Sequence, residues 1–221
     1  MTPHALAGII HGNKQMTTTT ATRPLNLKRL FEGHPIPSSQ TLRDLAAIFT
    51  KMADSREAQI DVRQMDGQFS VYCDGSALNN PGPGGWAFLI RSPRGQLVTR
   101  AGGIKHTTNN IAELTAATNA INALAADAEG VVRTDSMYVF KGLNEWRWKW
   151  ENREWITSQG KPVANMLQWK ALFLAFDTHP GVKLEWVRGH NGDEDNETVD
   201  RLARAEAEKV QHHTATMQGC A

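Results

Sequence analysis

The sequence predicts an α/β domain built on a mixed five-stranded sheet with helices on both faces. Three observations predict it: five short segments with strand character, helical periodicity in the segments between and after them, and carboxylates placed where strands give way to turns. The first strand covers residues 69 to 74, where Phe69, Val71 and Cys73 alternate with Ser70, Tyr72 and Asp74, so that one face is apolar. Asp74 closes it, because Gly75, Ser76 and the run Asn79-Asn80-Pro81-Gly82-Pro83-Gly84-Gly85 read as turn formers. Residues 86 to 90 and 97 to 101, separated by Ser92-Pro93-Arg94-Gly95, continue as an antiparallel meander. Asn110 with Glu113 three residues on marks the start of a helix, whose Leu114, Ala117, Ile121 and Leu124 carry a buried stripe to residue 125 or 126. Gly130 introduces Val131-Val132, a short strand that ends in Thr134-Asp135-Ser136, and Ser136 caps a short helix reaching Gly142. A helix over residues 163 to 176 buries Leu167, Leu172 and Leu174 or their neighbours, and residues 182 to 187 form the fifth strand. The loop Gly189-His190-Asn191-Gly192-Asp193 leads into a last helix over 196 to 210, with Val199, Leu202, Ala203 and Ala207 inward and Asp200 in its first turns.

Composition narrows the function classes. The chain has 221 residues, of which 40% are hydrophobic and 21% charged, which is the balance of a globular protein with a proper core. Lys and Arg total 24 against 23 for Asp and Glu, so no global basic field announces a nucleic-acid partner and any such binding rests on local patches. Cys73 and Cys220 fit neither a disulfide framework nor a zinc site and point to a reducing compartment. No apolar run has membrane-spanning length, so no membrane association is expected.

Residues 1 to 66 read as an N-terminal extension, 67 to 211 as a catalytic domain and 212 to 221 as a C-terminal tail. The extension carries a threonine run at 17 to 20, the extended segment His34-Pro35-Ile36-Pro37, and one amphipathic helix over 39 to 53 with Leu42, Leu45, Ala46, Phe49 and Ala53 on one face. That face packs on its own domain or docks a protein partner. The expected location is cytoplasmic; the acid-free, threonine-rich residues 1 to 31 leave an organelle transit peptide as the alternative.

The chemistry is read from Asp74, Asp135, Asp200 and Glu113, each at or near a strand or helix terminus. A meander followed by a crossover helix makes strands 69 to 74 and 131 to 135 parallel neighbours, which brings Asp74 and Asp135 to one end of the sheet. Carboxylates held close repel one another and raise each other's pKa unless divalent cations neutralise them. Oxygen-only donors favour magnesium or manganese over zinc. Two such ions about 4 Å apart form the clamp used for in-line displacement at phosphorus. Each acid also has a local reading: Glu113 as the capping-box acid of its helix, Asp74 as a turn former, Asp200 as a complement to a helix N-terminus.

Tyr72-Cys73-Asp74-Gly75-Ser76, Asn80-Pro81-Gly82-Pro83-Gly84-Gly85, Thr107-Thr108-Asn109-Asn110 with Glu113-Leu114, Thr134-Asp135-Ser136 with Tyr138-Val139, Trp186-Val187-Arg188-Gly189-His190, and Asn196-Glu197 with Asp200 occur in unbroken order between residues 69 and 210. This series resembles type I ribonuclease H of the bacterial kind. The resemblance implies a ribonuclease H-like fold and cleavage of the RNA strand of RNA–DNA hybrids with two magnesium ions, manganese being able to substitute, to leave 5′-phosphate and 3′-hydroxyl ends. It implies that Asp74, Glu113, Asp135 and Asp200 hold metal, that His190 assists proton transfer or product release, and that the enzyme acts as a monomer. It also implies that Asn80, Thr108, Asn109 and Asn110 contact the hybrid, where neutral amides and hydroxyls suit 2′-hydroxyls and groove edges. Trp146, Trp150 and Trp155 correspond to tryptophans of the substrate-gripping handle, with Arg147, Lys149 and Arg153 toward phosphates, although rings at this spacing also pack on one another in cores. The chain departs from the family pattern at Glu151 and Glu154, where bacterial relatives are more basic, and at Met137, where a polar residue is usual. A silent hybrid-binding module would lack one of the four acids, and a DNA-cutting relative such as a transposase or resolvase would not be expected to carry Thr108-Asn109-Asn110.

Overall fold

The computed structural model describes residues 68 to 219, so the expected helix at 39 to 53, the rest of the extension and Cys220 lie outside the described residues. Strands β1 (Gln68–Ala77), β2 (Gly82–Arg91), β3 (Leu97–Thr107), β4 (Glu129–Thr134) and β5 (Val182–Trp186) form one five-stranded sheet in the order β3-β2-β1-β4-β5. The first three pair antiparallel, while β4 lies parallel to both β1 and β5. Helices α1 (Asn109–Asn122), α2 (Met137–Lys141), α3 (Arg147–Asn152), α4 (Met166–Thr178) and α5 (Glu194–Gly219) complete the described domain, with a wider π-type turn at Gly142–Trp146 joining α2 to α3.

The alternation along β1 sorts its side chains as expected. Phe69, Val71 and Cys73 enter the main core with Phe88 and Ile90 of β2, Leu114, Ala117 and Ile121 of α1, and Trp169, Leu172 and Phe173 of α4. On the other face Ala87 and Leu89 pack against Val199 and Ala203 of α5. The mixed sheet with helices on both faces is therefore the observed architecture. Leu167 and Leu174, expected inward on α4, are only half-buried, and Trp169 occupies the core instead.

Two strand boundaries differ from expectation for one physical reason. β1 does not end at Asp74: Gly75, Ser76 and Ala77 continue it, opposite Trp86, Gly85 and Gly84 of β2. The glycine-rich stretch read as turn is mostly strand, and the connection shrinks to four residues, with Asn79 at φ 57°. The glycines mark close approach rather than chain reversal. A Cβ at Gly85 would stand 2.1 Å from the carbonyl oxygen of Ala203 on α5, and one at Gly84 would stand 2.2 Å from Cγ2 of Thr107. α5 begins at Glu194 and continues to Gly219, past the point where its inward stripe ends and through residues expected as a tail.

The register also opens the sheet where chemistry is expected. β1 and β4 are paired from Gln68 opposite Glu129 to Tyr72 opposite Arg133, and the pairing stops before Asp74. β1 then stays paired with β2 alone, leaving Asp74 beside the gap into which β4 delivers Asp135. Among the described residues no helix is long and apolar enough to cross a membrane.

Candidate active site

Asp74 sits on the face of β1 away from the main core, its Oδ1 accepting a 2.7 Å hydrogen bond from the Gly75 backbone N–H. Glu113 reaches the same region because α1 lies directly on Gly75: a Cβ there would be 2.1 Å from the carbonyl carbon of Ala112 and 2.3 Å from the nitrogen of Glu113. Only glycine lets the helix descend this far. α1 starts at Asn109 and is capped by Thr108, whose hydroxyl accepts from the Ile111 N–H, so Asn110 is not the cap and Glu113 is not a capping-box acid. The Glu113 carboxylate instead accepts from the Ser136 hydroxyl, which in turn accepts from Val139 N–H at the start of α2. Glu113 is thus fixed by the segment that carries Asp135.

Asp135 follows β4 and is held from three sides. The Trp186 Nε1–H donates to its carbonyl oxygen at 3.0 Å, the Asn196 amide donates to its Oδ2 at 3.2 Å, and Gly189 lies so close that a Cβ would stand 2.5 Å from that same Oδ2. Asp200 projects from α5, and its Oδ2 is 3.9 Å from Nδ1 of His190. The His190 side chain is 81% exposed on the loop after β5, with φ at 51°.

The four acids act on one another through their charges. Burial, then the charges of Asp135, Asp200 and Glu113, push the carboxyl of Asp74 up to about 8, against a smaller downward pull from the Gly75 N–H. Glu113 is also raised, first by burial and then by Asp135, while the Ser136 hydroxyl opposes the shift. Cys73 lies in the core with its thiol pushed up by burial, so no thiolate joins the set. Among the described residues no three His, Cys, Asp or Glu side chains are closed tightly enough to grip a metal ion by themselves. The donors nonetheless fit a hard divalent cation: all are carboxylate oxygens, and the charges acting most strongly on Asp74 are those of Asp135, Asp200 and Glu113.

The polar residues expected to meet substrate form a brace beside this cluster. Asn80 Oδ1 accepts from Asn109 N–H at 3.1 Å, and Asn109 Oδ1 accepts from Ala77 N–H at 2.7 Å, tying the β1–β2 turn to the start of α1. The two amide NH₂ groups take no part in that brace and lie on exposed residues, as does the side chain of Asn110. Thr108 is half-buried and spends its hydroxyl on the cap.

The tryptophan-rich segment departs from expectation. Trp155 is 6% exposed and belongs to the core, and Trp146 and Trp150 are half-buried in a run of rings. Trp150 lies 5.5 Å from Trp146, 5.1 Å from Trp169 and 6.1 Å from Trp155, centroid to centroid, and Trp155 lies 5.7 Å from Phe173. Trp155 is therefore not a surface for substrate, and Trp146 and Trp150 serve packing. Arg147 is likewise engaged: it pairs with Asp177 at 2.7 Å and Glu151 at 2.9 Å, with its guanidinium over the Phe173 ring. The outward ring is Trp148, 72% exposed between Arg147 and Lys149. Its position two residues from both Trp146 and Trp150, off their shared helical stripe, is the signal in the sequence that singles it out. Ser136, read from the sequence as a helix cap, caps α2 and also holds Glu113, and Asn196 is the other site residue; it lies in a motif that the sequence displays, but its pairing with Asp135 is tertiary.

Comparisons with known proteins agree with this geometry. The family model described as RNase H matches residues 66–208. The ribonuclease H of Xanthomonas campestris pv. campestris (strain 8004) is 47% identical over 137 residues, covering 62% of this chain and 90% of the relative. That of Escherichia coli O139:H28 (strain E24377A / ETEC) is 44% identical over 140 residues, covering 63% and 89%. Among solved structures, LC9-RNase H1, described as a type 1 RNase H with the type 2 active-site motif, superposes with a TM-score of 0.57 at 32% identity over 64% of this chain and 72% of that one.

Proposed function

This chain belongs to the ribonuclease H family, and on that premise we propose that it hydrolyses the RNA strand of RNA–DNA hybrids internally, leaving 5′-phosphate and 3′-hydroxyl ends. The observation that carries the reading is the gathering of Asp74, Glu113, Asp135 and Asp200 at the open end of the sheet, where the largest charges acting on Asp74 are those of the other three acids. Asp74, Asp135 and Asp200 would hold one divalent cation and Asp74, Glu113 and Asp135 a second, magnesium being preferred and manganese able to replace it. Bound there, such cations supply an activated water and charge stabilisation for the leaving 3′-oxygen.

The remaining work falls to the chain itself. Ser136 and Asn196 keep Glu113 and Asp135 in place through hydrogen bonds to their carboxylates, so little reorganisation is needed as charge develops. His190, on an exposed loop next to Asp200, is placed to ferry a proton between the site and solvent. The amide NH₂ groups of Asn80 and Asn109 and the side chain of Asn110 offer donors to 2′-hydroxyls and groove edges, which is how RNA is told from DNA. Trp148 with Lys149 and Arg153 supplies a stacking and phosphate surface in place of the buried Trp155 and the packed, half-buried Trp146 and Trp150. All four acids lie in the described domain, so residues 1 to 66 are dispensable for the chemical step.

The test is a competition between hybrid, double-stranded RNA and double-stranded DNA, with and without magnesium. Magnesium-dependent cleavage of the hybrid's RNA strand alone is the expected result. Equal cleavage of duplex DNA, or cleavage of the hybrid in the presence of a strong chelator, would overturn the reading.

A further inference from the structure

We propose that Asn196 is a positioning residue which fixes the carboxylate of Asp135 while leaving its own carbonyl unsatisfied; this rests on the ribonuclease H reading of the site. Asn196 is only 2% exposed, in the first turn of α5, with its backbone N–H on Oδ1 of Asp193. Its Nδ2 donates to Oδ2 of Asp135 at 3.2 Å, and its Oδ1 is buried with no hydrogen-bond partner among the described residues. The orientation of the amide is decided by chemistry, because turning it over would set its oxygen against a carboxylate oxygen. A buried acceptor without a partner is costly, and a side chain that merely fastened α5 to the sheet would use both ends of its amide. Here one end is sacrificed so that the other can hold Asp135.

The spacing gives this arrangement its reach. Asn196 and Asp200 stand four residues apart on α5, hence on one face of the helix, so a single element both contributes Asp200 and fixes Asp135. Gly189 closes the remaining room around Oδ2, since any Cβ there would meet it at 2.5 Å. With Oδ2 engaged by Asn196, the other carboxylate oxygen of Asp135 is the one left for a cation shared with Asp74.

The experiment compares full-length wild type with Asn196→Leu and Asn196→Ala. Leucine keeps the branched outline at a somewhat larger volume and removes both the donor and the unsatisfied oxygen; alanine removes the same donor but leaves a cavity. Magnesium affinity is read by calorimetry without substrate, thermal midpoint without metal, and kcat and KM on hybrid. Outer partners of metal ligands typically contribute about 10–100-fold to affinity or activity. Both variants should therefore lose magnesium affinity and kcat to a similar degree in that range, with KM for hybrid unchanged. The midpoint should fall more for Asn196→Ala, which adds a cavity to the lost donor, than for Asn196→Leu. Magnesium affinity within about twofold of wild type in either folded variant, or a loss that follows the midpoint rather than the missing donor, overturns the proposal. If wild type itself cleaves no hybrid while both variants lose magnesium affinity, the functional reading falls and the positioning role stands.

Discussion

The carboxylates at the open end of the sheet and the rings beneath the tryptophan-rich segment are both clusters of like side chains, built on opposite balances. Asp74, Glu113, Asp135 and Asp200 are held together by the fold against the cost of burial and their own repulsion, and burial first, then the neighbouring charges, pushes Asp74 up to about 8. Tyr138, Trp146, Trp150, Trp155, Trp169 and Phe173 hold the fold together, with neighbouring centroids between 5.0 and 6.1 Å apart and the Tyr138 hydroxyl accepting from both Trp169 and Asn165. Removing a member of the first cluster should cost chemistry and not stability. Removing one of the second should do the reverse.

Asp74→Asn is the largest test of that contrast. Hydrolysis should fall on the order of 10³-fold or more, because metal positioning contributes several kcal/mol of transition-state stabilisation. Stability without metal should rise. A carboxyl whose pKa is higher folded than unfolded binds its proton more tightly in the native state, so the wild type loses stability as pH climbs from about 3.8 toward about 8. The asparagine variant lacks that loss, and its advantage in thermal midpoint should widen across this window and level off above it. Melting curves at several pH values with a chelator present check the sign; a less stable variant at pH 8 would mean that Asp74 is an anchor and not a repelled ligand.

Trp169→Ala is the mirror experiment. The ring is fully buried, donates to Tyr138 at 3.0 Å and lies so close to Gly142 that a Cβ there would meet it at 1.8 Å. Truncation should cost about 3–5 kcal/mol by denaturant melting, while kcat on hybrid at a temperature where the variant stays folded changes little. A selective loss of kcat would join the two clusters into one.

The contrast also shows what the sequence made legible. Alternation from Phe69 to Cys73 and the stripe through Leu114, Ala117 and Ile121 are set by burial, and burial is what periodicity records, so the sheet, its parallel pair and the nearness of Asp74 to Asp135 could be read in advance, whereas Glu113 and Asp200 enter the set through the family resemblance. Composition does not distinguish a glycine that turns the chain from one that lets α1 or α5 touch a strand, which is why β1 seemed to stop at Asp74. The cap of α1 was misplaced by two residues because Asn110 and Thr108 are both good capping types. Which tryptophan faces outward depends on phase, and the π-type turn at Gly142–Trp146 shifts the phase of everything after it. Trp155 then turns in through a left-handed backbone that no periodic pattern encodes.

Trp148→Ala sharpens the comparison at the boundary between packing and binding. The side chain is mostly exposed, so stability should stay within about 0.5 kcal/mol of wild type. Hybrid affinity at low salt should weaken by about tenfold, near the lower end of what one stacked ring contributes. Titration of the variant against Trp150→Ala measures both effects. An unchanged dissociation constant for Trp148→Ala would leave Lys149 and Arg153 to grip the hybrid without a ring.

The smallest effect lies inside the aromatic region, which carries a strain of its own. Glu154 and Trp155 have φ values of 50° and 63°, a conformation that costs a residue with a Cβ about 1–2 kcal/mol. Trp155 cannot relax: its N–H donates to Trp150 at 2.8 Å, its carbonyl accepts from Val163 at 2.9 Å, and its ring lies against Trp150 and Phe173 with the Lys170 ammonium 5.3 Å from its centre. Glu154 is exposed and makes no side-chain hydrogen bond or ion pair with the described residues, so its backbone is bent by its neighbour without compensation. Glu154→Gly should therefore stabilise the protein by about 1 kcal/mol, less the extra freedom glycine gives the unfolded chain, which is a rise of about 2–4 °C for a domain of this size. Glu154→Ala keeps the Cβ and should show no such gain. Equal gains from both would trace the effect to the lost charge beside Arg153, whereas a gain for glycine alone shows that the buried rings impose a strained backbone at a position where relief leaves the carboxylates untouched.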